Sequence, residues 1–262
     1  MSELADELDL GSSALIGVGV QIPSLAPTNV DDAATMPQWN RDPEGGRSLA
    51  RADSRMLTAY VIRHAETEGN RNGVIQGHLD FPLSAKGRLQ AEEVAGALRN
   101  VRFDAVYSSD LNRAAETARA IMKCRSCSLI MDRRLREING GKMQGLTWPE
   151  IQKRFPEFEI AFSADPYNTR RPGGESFADV AVRVARAMDD IVRRNSERPE
   201  GSVIAVVSHG GPIRSIIGLA QPDLATMGTI GNCSITVLER NGATWRLVKV
   251  GDCGHLACLS ED

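Results

Sequence analysis

Five side chains of this 262-residue sequence have types and positions that together can do chemistry on an anion: Arg63, His64, Arg113, Glu137 and His209. His64 follows the apolar run 57–62 and His209 follows the run 203–207, each after one intervening residue. Arg113 falls in the first turn after the run 103–107, and Glu137 follows the run 128–131. Two arginines and two histidines gathered at one spot would repel one another unless an anion lay between them. Arginine forks match phosphate oxygens bidentately. The amides of Gly210 and Gly211, at a helix start, would add donors and a favourable dipole. The set reads as a phosphate cradle built without a metal.

Such a cradle needs a nucleophile. The chain has no G-x-x-x-x-G-K-[ST] loop, and no C-x5-R arrangement supplies a thiolate. Ser108 and Ser109 stand between a strand and a helix, where serine normally caps. His64 remains, because neutral imidazole attacks phosphorus readily once a hydrogen bond to its other nitrogen fixes the tautomer.

The elements that must position these groups are legible. Residues 57–62 read as a strand, followed by a loop with Gly69, Gly73, Gly77 and Pro82. Ser84 is an N-cap for a helix carrying Leu89, Val94, Ala97 and Leu98. Residues 103–107 form a second strand, and Ser109 or Asp110 caps the helix through Ala114, Ala118 and Ile121. A short third strand, 128–131, leads into a loop with Gly140, Gly141 and Gly145, then into two lesser helices at 147–155 and 157–163. Ser176 caps a long helix in which Phe177, Val180, Val184, Met188 and Ile191 recur at helical spacing. Residues 203–207 are the most buried strand, and Gly210-Gly211-Pro212 opens the next helix. A hairpin around Asn241-Gly242 ends the pattern. Strands alternating with helices give a largely parallel sheet covered on both faces, with ligands expected at the carboxyl ends of its strands.

The residues then resemble a known family, the histidine phosphatase superfamily. The likeness runs through Arg63-His64-Ala65-Glu66-Thr67-x-x-Asn70, Gln76-Gly77-x-x-Asp80-x-Pro82-Leu83-Ser84-x-x-Gly87 and Tyr107-Ser108-Ser109-Asp110-Leu111-x-Arg113-Ala114-x-x-Thr117-Ala118. It continues with Arg134-Leu135-Arg136-Glu137-Ile138, Gly173-Gly174-Glu175-Ser176 and Val207-Ser208-His209-Gly210-Gly211-x-Ile213-Arg214. The resemblance implies a three-layer α/β/α sandwich with a mostly parallel central sheet, of the phosphoglycerate-mutase-like kind. It implies that His64 becomes phosphohistidine, that Arg63, Arg113, His209 and Asn70 hold the phosphoryl oxygens, and that Glu137 gives a proton to the leaving oxygen. Gln76 and Gly77 would line the substrate pocket. Ala65 departs from the glycine usual after the nucleophile, so its methyl is expected to crowd the loop slightly.

Glu66, two residues past His64, is a rival proton donor but is expected rather to orient the cradle arginines. Arg170 and Arg171 either reach a second anionic group on the substrate or form a solvated basic pair. Trp148 and Phe155 are expected in a core rather than in the pocket wall.

The resemblance favours a phosphomonoesterase acting on a small phosphorylated metabolite, with no cofactor. Phosphoglycerate mutases share every core motif but carry a longer insertion between the acid and the second histidine; here 71 residues separate Glu137 from His209. The acid-phosphatase and phytase branch places Asp after its second histidine, where this chain has Gly210. A non-catalytic phospho-ligand module is the reading from another class, disfavoured because every catalytic position is filled.

Composition sets the outer bounds. The chain is 42% hydrophobic and 25% charged, with net charge -3, which speaks against a nucleic-acid partner. Residues 1–40 carry six acids and no Lys or Arg, leaving the remainder at +3, which suits an anionic ligand. No apolar run approaches membrane-spanning length, and no basic start precedes an apolar stretch, so a cytoplasmic protein without a membrane partner is expected. Five cysteines read as reduced thiols. Cys124-x-x-Cys127 and Cys253-Gly254-His255-x-x-Cys258 could together bind zinc, but the second half lacks normal finger spacing, so core or surface thiols and no metal are expected. The domain reading is an acidic extension at 1–55, a phosphatase domain at 56–251 and a tail at 252–262. The sequence leaves monomer or homodimer open.

Overall fold

The computed structural model describes residues 56–123, 125–196, 200–221 and 229–259. The acidic extension and Cys124 lie outside them. Six strands form one sheet in the order β3-β2-β4-β1-β5-β6. They are β1 (Met56–Arg63), β2 (Ala105–Ser108), β3 (Ser128–Met131), β4 (Ser202–Ser208), β5 (Ile235–Asn241) and β6 (Thr244–Asp252). The first four run parallel to one another, while β5 and β6 form the expected antiparallel hairpin at the sheet edge.

β4 is buried at six of its seven positions because helices cover both faces of the sheet. On one face Val61, Tyr107, Ile204 and Val206 pack with α6 (Phe177–Asn195) and α7 (Gly210–Gly218). On the other, Ile62, Val106, Ala205 and Val207 pack with α2 (Ala85–Ala97) and α3 (Asn112–Met122). The stripe Val180, Val184, Ala187, Met188 and Ile191 of α6 is buried as its spacing requires, and each of its valine, methionine and isoleucine side chains contributes about 1.5–3 kcal/mol. Ser176 caps this helix in a capping box with Asp179, and Ser84 caps α2 through the Gly87 amide. A Cβ at Gly87 would stand 1.9 Å from the Glu66 carbonyl oxygen, so this first turn of α2 requires glycine.

Some expectations are corrected. Residues 68–71, read as loop, form the short helix α1 (Glu68–Arg71), capped reciprocally by Thr67 and Asn70. Neither Ser109 nor Asp110 caps α3; its N-cap position is Leu111, which has no side-chain cap bond. The lesser helices are α4 (Trp148–Arg154) and α5 (Pro156–Ala164), which share a third apolar cluster with Ile75 and Met143. Trp148 and Phe155 belong to that cluster. Residue 252 ends β6, and Gly254–Leu259 form a 3-10 turn whose Leu256 packs against the α2–α3 face. Among the described residues no helix is long and apolar enough to cross a membrane.

Candidate active site

Strand register dictates the centre of the site. β1 and β4 pair in parallel with Arg63 opposite Ser208, so the next residue on each strand is a histidine. The His64 amide extends the ladder by donating to the Ser208 carbonyl at 2.9 Å. The two imidazole centroids are 5.0 Å apart. β2 pairs with β4 on its other side, Ser108 opposite Val207, which delivers Ser109 to His209: Oγ and Nε2 are 2.8 Å apart.

Each histidine is held by one ring nitrogen. His64 Nδ1 stands 2.8 Å from the Ala65 carbonyl oxygen, which can only accept; the ring therefore donates from Nδ1 and presents Nε2 as a lone pair. His209 Nδ1 is buried without a partner among the described residues. With Ser109 donating to Nε2, Nδ1–H becomes a donor for whatever occupies the site.

The cavity beside His64 is lined by Arg63, Asn70, Val74, Ile75, Gln76, Gly77, Arg113, Glu137 and Ile138. Eight of the nine residues named from the sequence are therefore at this place: seven line the cavity or, like His64, stand in its wall, and His209 lies against His64. Gly210 is the exception. It is the first residue of α7 and does not line the cavity, and the neighbouring Gly211 amide donates to Glu137 Oε1 at 3.2 Å rather than facing a phosphate.

Arg113 is 1% exposed. Its Nη1 and Nη2 donate to the carbonyls of Leu79 and Gly77, at 2.9 and 2.7 Å. Its Nε has no partner among the described residues. Burial, opposed by the charges of Glu137 and Asp80 and aided by Arg63, brings its pKa down to about 10. Arg63 Nη1 donates to the Ile230 carbonyl at 2.6 Å. Gln76 is buried with its Oε1 unpartnered among the described residues, and Asn70 spends its Oδ1 on Thr67. Unpartnered atoms thus belong to two residues that line the cavity, Gln76 and Arg113, and to His209, whose ring lies against that of His64. Buried polar atoms are seldom left so, and the pattern marks a place that a polar ligand completes.

Glu137 is held by its surroundings from several sides. Its Oε1 accepts from the Ile138 amide at 2.7 Å and from Gly211. Its carbonyl accepts from Arg183 Nη2 at 2.9 Å and lies 2.8 Å from His78 Nε2. Arg183 also donates to the carbonyls of Arg134 and Arg136 and pairs with Glu175. Sequence reasoning missed Arg183, His78, Ser109 and Thr117; the last accepts the Ala65 amide at 3.0 Å. It also misplaced Glu66, whose carboxylate accepts from the Ser84 hydroxyl at 2.5 Å rather than from a cradle arginine. Ala65 is fully buried in the α2–α3 core, so its methyl is packed rather than crowding the loop.

Burial, then the charges of Arg113 and Arg63, hold His64 well below its ordinary 6.5; burial, Arg113 and His64 do the same to His209. Both rings are therefore neutral at neutral pH. The consequence for stability has a definite sign. The unfolded imidazoles take up protons near pH 6.5 while the native ones do not, so acid favours the unfolded chain by up to about 1.4 kcal/mol per pH unit for each. In phosphate-free buffer the melting temperature should fall steadily from pH 6.5 to 5, above the carboxylate range. His209→Gln should remove only its own share of the slope, because burial also lowers the pKa of His78 and His255, which add to it alongside His64. A melting temperature flat over that interval would show that the native rings protonate normally.

A doubly wound α/β protein with a cationic cleft at the carboxyl edge of its sheet is the class that this fold and site define. The model of the histidine phosphatase superfamily (branch 1) matches residues 59–253, and the chain belongs to that family. It is 40% identical over 200 residues to phosphoglycerate mutase-like protein 4 of Arabidopsis thaliana, covering 75% of this chain and 85% of that protein. It is 32% identical over 231 residues to the metal-independent phosphoserine phosphatase of Arabidopsis thaliana, covering 87% and 92%. Among solved structures, a mycobacterial glucosyl-3-phosphoglycerate phosphatase in complex with VO3 superposes with a TM-score of 0.66 at 33% identity, covering 75% of this chain and 98% of that one.

Proposed function

We propose that this histidine phosphatase hydrolyses a small phosphorylated metabolite without a metal, through a phosphohistidine on His64 with Glu137 as proton donor. The observation that carries the reading is the set of unpartnered buried atoms, from Gln76 and Arg113 in the wall of a cavity that His64 and Glu137 also line, and from His209 beside His64. A phosphoryl group would satisfy the donors among them and neutralise the two arginines.

In the first step the Nε2 lone pair forms a bond to phosphorus as the bond to the substrate oxygen breaks, and Glu137 transfers its proton to that oxygen. The Nδ1–H bond to the Ala65 carbonyl supports the positive charge gained by the ring. In the second step Glu137, now a carboxylate, takes a proton from water as the water oxygen attacks phosphorus and the P–N bond breaks. Inorganic phosphate leaves, and both residues are restored. Arg63, Arg113 and His209 do positioning and electrostatic work throughout.

Relatives carrying phosphatase names support hydrolysis, as does the VO3 complex, since oxovanadium anions mimic phosphate. The 71 residues between Glu137 and His209 favour an open site over one sealed for return of the phosphoryl group. Turnover of p-nitrophenyl phosphate that persists in EDTA and is inhibited competitively by vanadate is the expected result. Absence of turnover would end the phosphatase reading, and loss of turnover in EDTA would end the metal-free one.

A further inference from the structure

Arg171 is 6% exposed and makes no ion pair among the described residues. Its guanidinium lies over the ring of Phe177 at 4.6 Å and near Phe162 at 5.9 Å. Among the described residues its one side-chain hydrogen bond is a 3.4 Å contact from Nη1 to the Glu175 carbonyl. The acids around it are spent elsewhere. Glu175 pairs with Arg183, and Asp179 pairs with the exposed neighbour Arg170. Stacking occupies the face of a guanidinium and leaves its in-plane N–H groups available. A buried cation held by aromatic rings instead of a carboxylate is costly unless a further anion completes it.

Its place relative to the catalytic cavity is fixed by backbone bonds. The Glu175 amide donates to the Asn139 carbonyl at 2.9 Å, and the Lys142 amide donates to the Pro172 carbonyl at 2.9 Å. The turn bearing Arg171 is therefore tied to the chain two residues beyond Glu137. Phe162 shares an apolar cluster with Ile75, which lines the cavity. Glu137 and Glu175 are the carboxylates whose charges act on Arg171.

We propose that Arg171 forms a second anion subsite beside the phosphoryl cradle, so that the preferred substrate carries a carboxylate or second phosphate a few bonds from its scissile phosphate. This rests on the phosphatase reading and narrows it from any small phosphomonoester to a dianionic class. Arg170, turned outward to Asp179, takes no part.

The test compares 3-phosphoglycerate with glycerol 3-phosphate, which differ in the carboxylate, by turnover and by calorimetric binding, in wild type, Arg171→Met and Arg171→Lys. Methionine keeps the contact with Phe177 and removes the charge. The expected result is a wild-type preference for 3-phosphoglycerate that Arg171→Met lowers about 10- to 100-fold, mainly in KM, with partial recovery in Arg171→Lys. The same comparison with fructose 1,6-bisphosphate and fructose 6-phosphate separates a phosphate partner from a carboxylate. A preference unchanged in Arg171→Met, or parallel loss of both compounds, overturns the proposal. Binding with preference but without turnover overturns the phosphatase reading alone; a wild type that binds neither overturns both.

Discussion

His64→Ala is expected to lower kcat toward every phosphomonoester by about 10⁴-fold or more, because removing a covalent nucleophile removes the whole two-step route. No neighbour can replace it. Ser109 is committed to His209, and the Ser108 hydroxyl donates to the Ser109 carbonyl at 2.8 Å. The fold should survive, since the strand ladder at this point uses the His64 amide and not its side chain. His64→Asn, closer in volume and still able to donate to the Ala65 carbonyl, guards against a packing explanation. Rapid acid-free quenching during turnover should trap an acid-labile, alkali-stable phosphorylated protein in wild type and in neither variant. A label that resists acid would point to a serine ester, and substantial turnover by both variants would remove His64 from the chemistry.

The meeting of the two histidines was legible because it depends on local quantities. Two apolar runs end in histidine, and parallel pairing in register puts those ends together. Arg113 and Glu137 follow from the same rule, as residues just past strand ends. The groups that hold the reactive side chains were not legible, because each bond joins distant elements: Ser109 to His209 across 100 residues, Thr117 to Ala65 across 52, Arg183 to the Glu137 carbonyl across 46. A serine after a strand looks like a cap, and only the order β2-β4-β1 shows that this one faces a histidine. Glu66 was misread for a related reason. Two residues past His64 the chain has already turned toward α2, where Ser84 captures the carboxylate. The phosphate-facing role expected for the Gly211 amide fails because Glu137 occupies it.

That last bond makes Glu137→Gln the more discriminating variant. The amide oxygen of glutamine can accept from Ile138 and Gly211 as the carboxylate does, so the loop and the substrate site keep their shape. The proton relay alone is lost. With an alkyl phosphate, whose alkoxide leaves poorly, kcat should fall about 10²- to 10⁴-fold with KM little changed. With p-nitrophenyl phosphate the first step needs no proton, so a stopped-flow experiment should show a burst of nitrophenolate of nearly wild-type rate. The steady state that follows should be slow, because water must attack the phosphohistidine without a base. Burst and slow phase together would assign both proton transfers to one carboxylate. A variant as active as wild type on the alkyl phosphate would move the acid role to another group; Glu66, bonded to the Ser84 hydroxyl, would then have to leave that partner to reach the leaving oxygen.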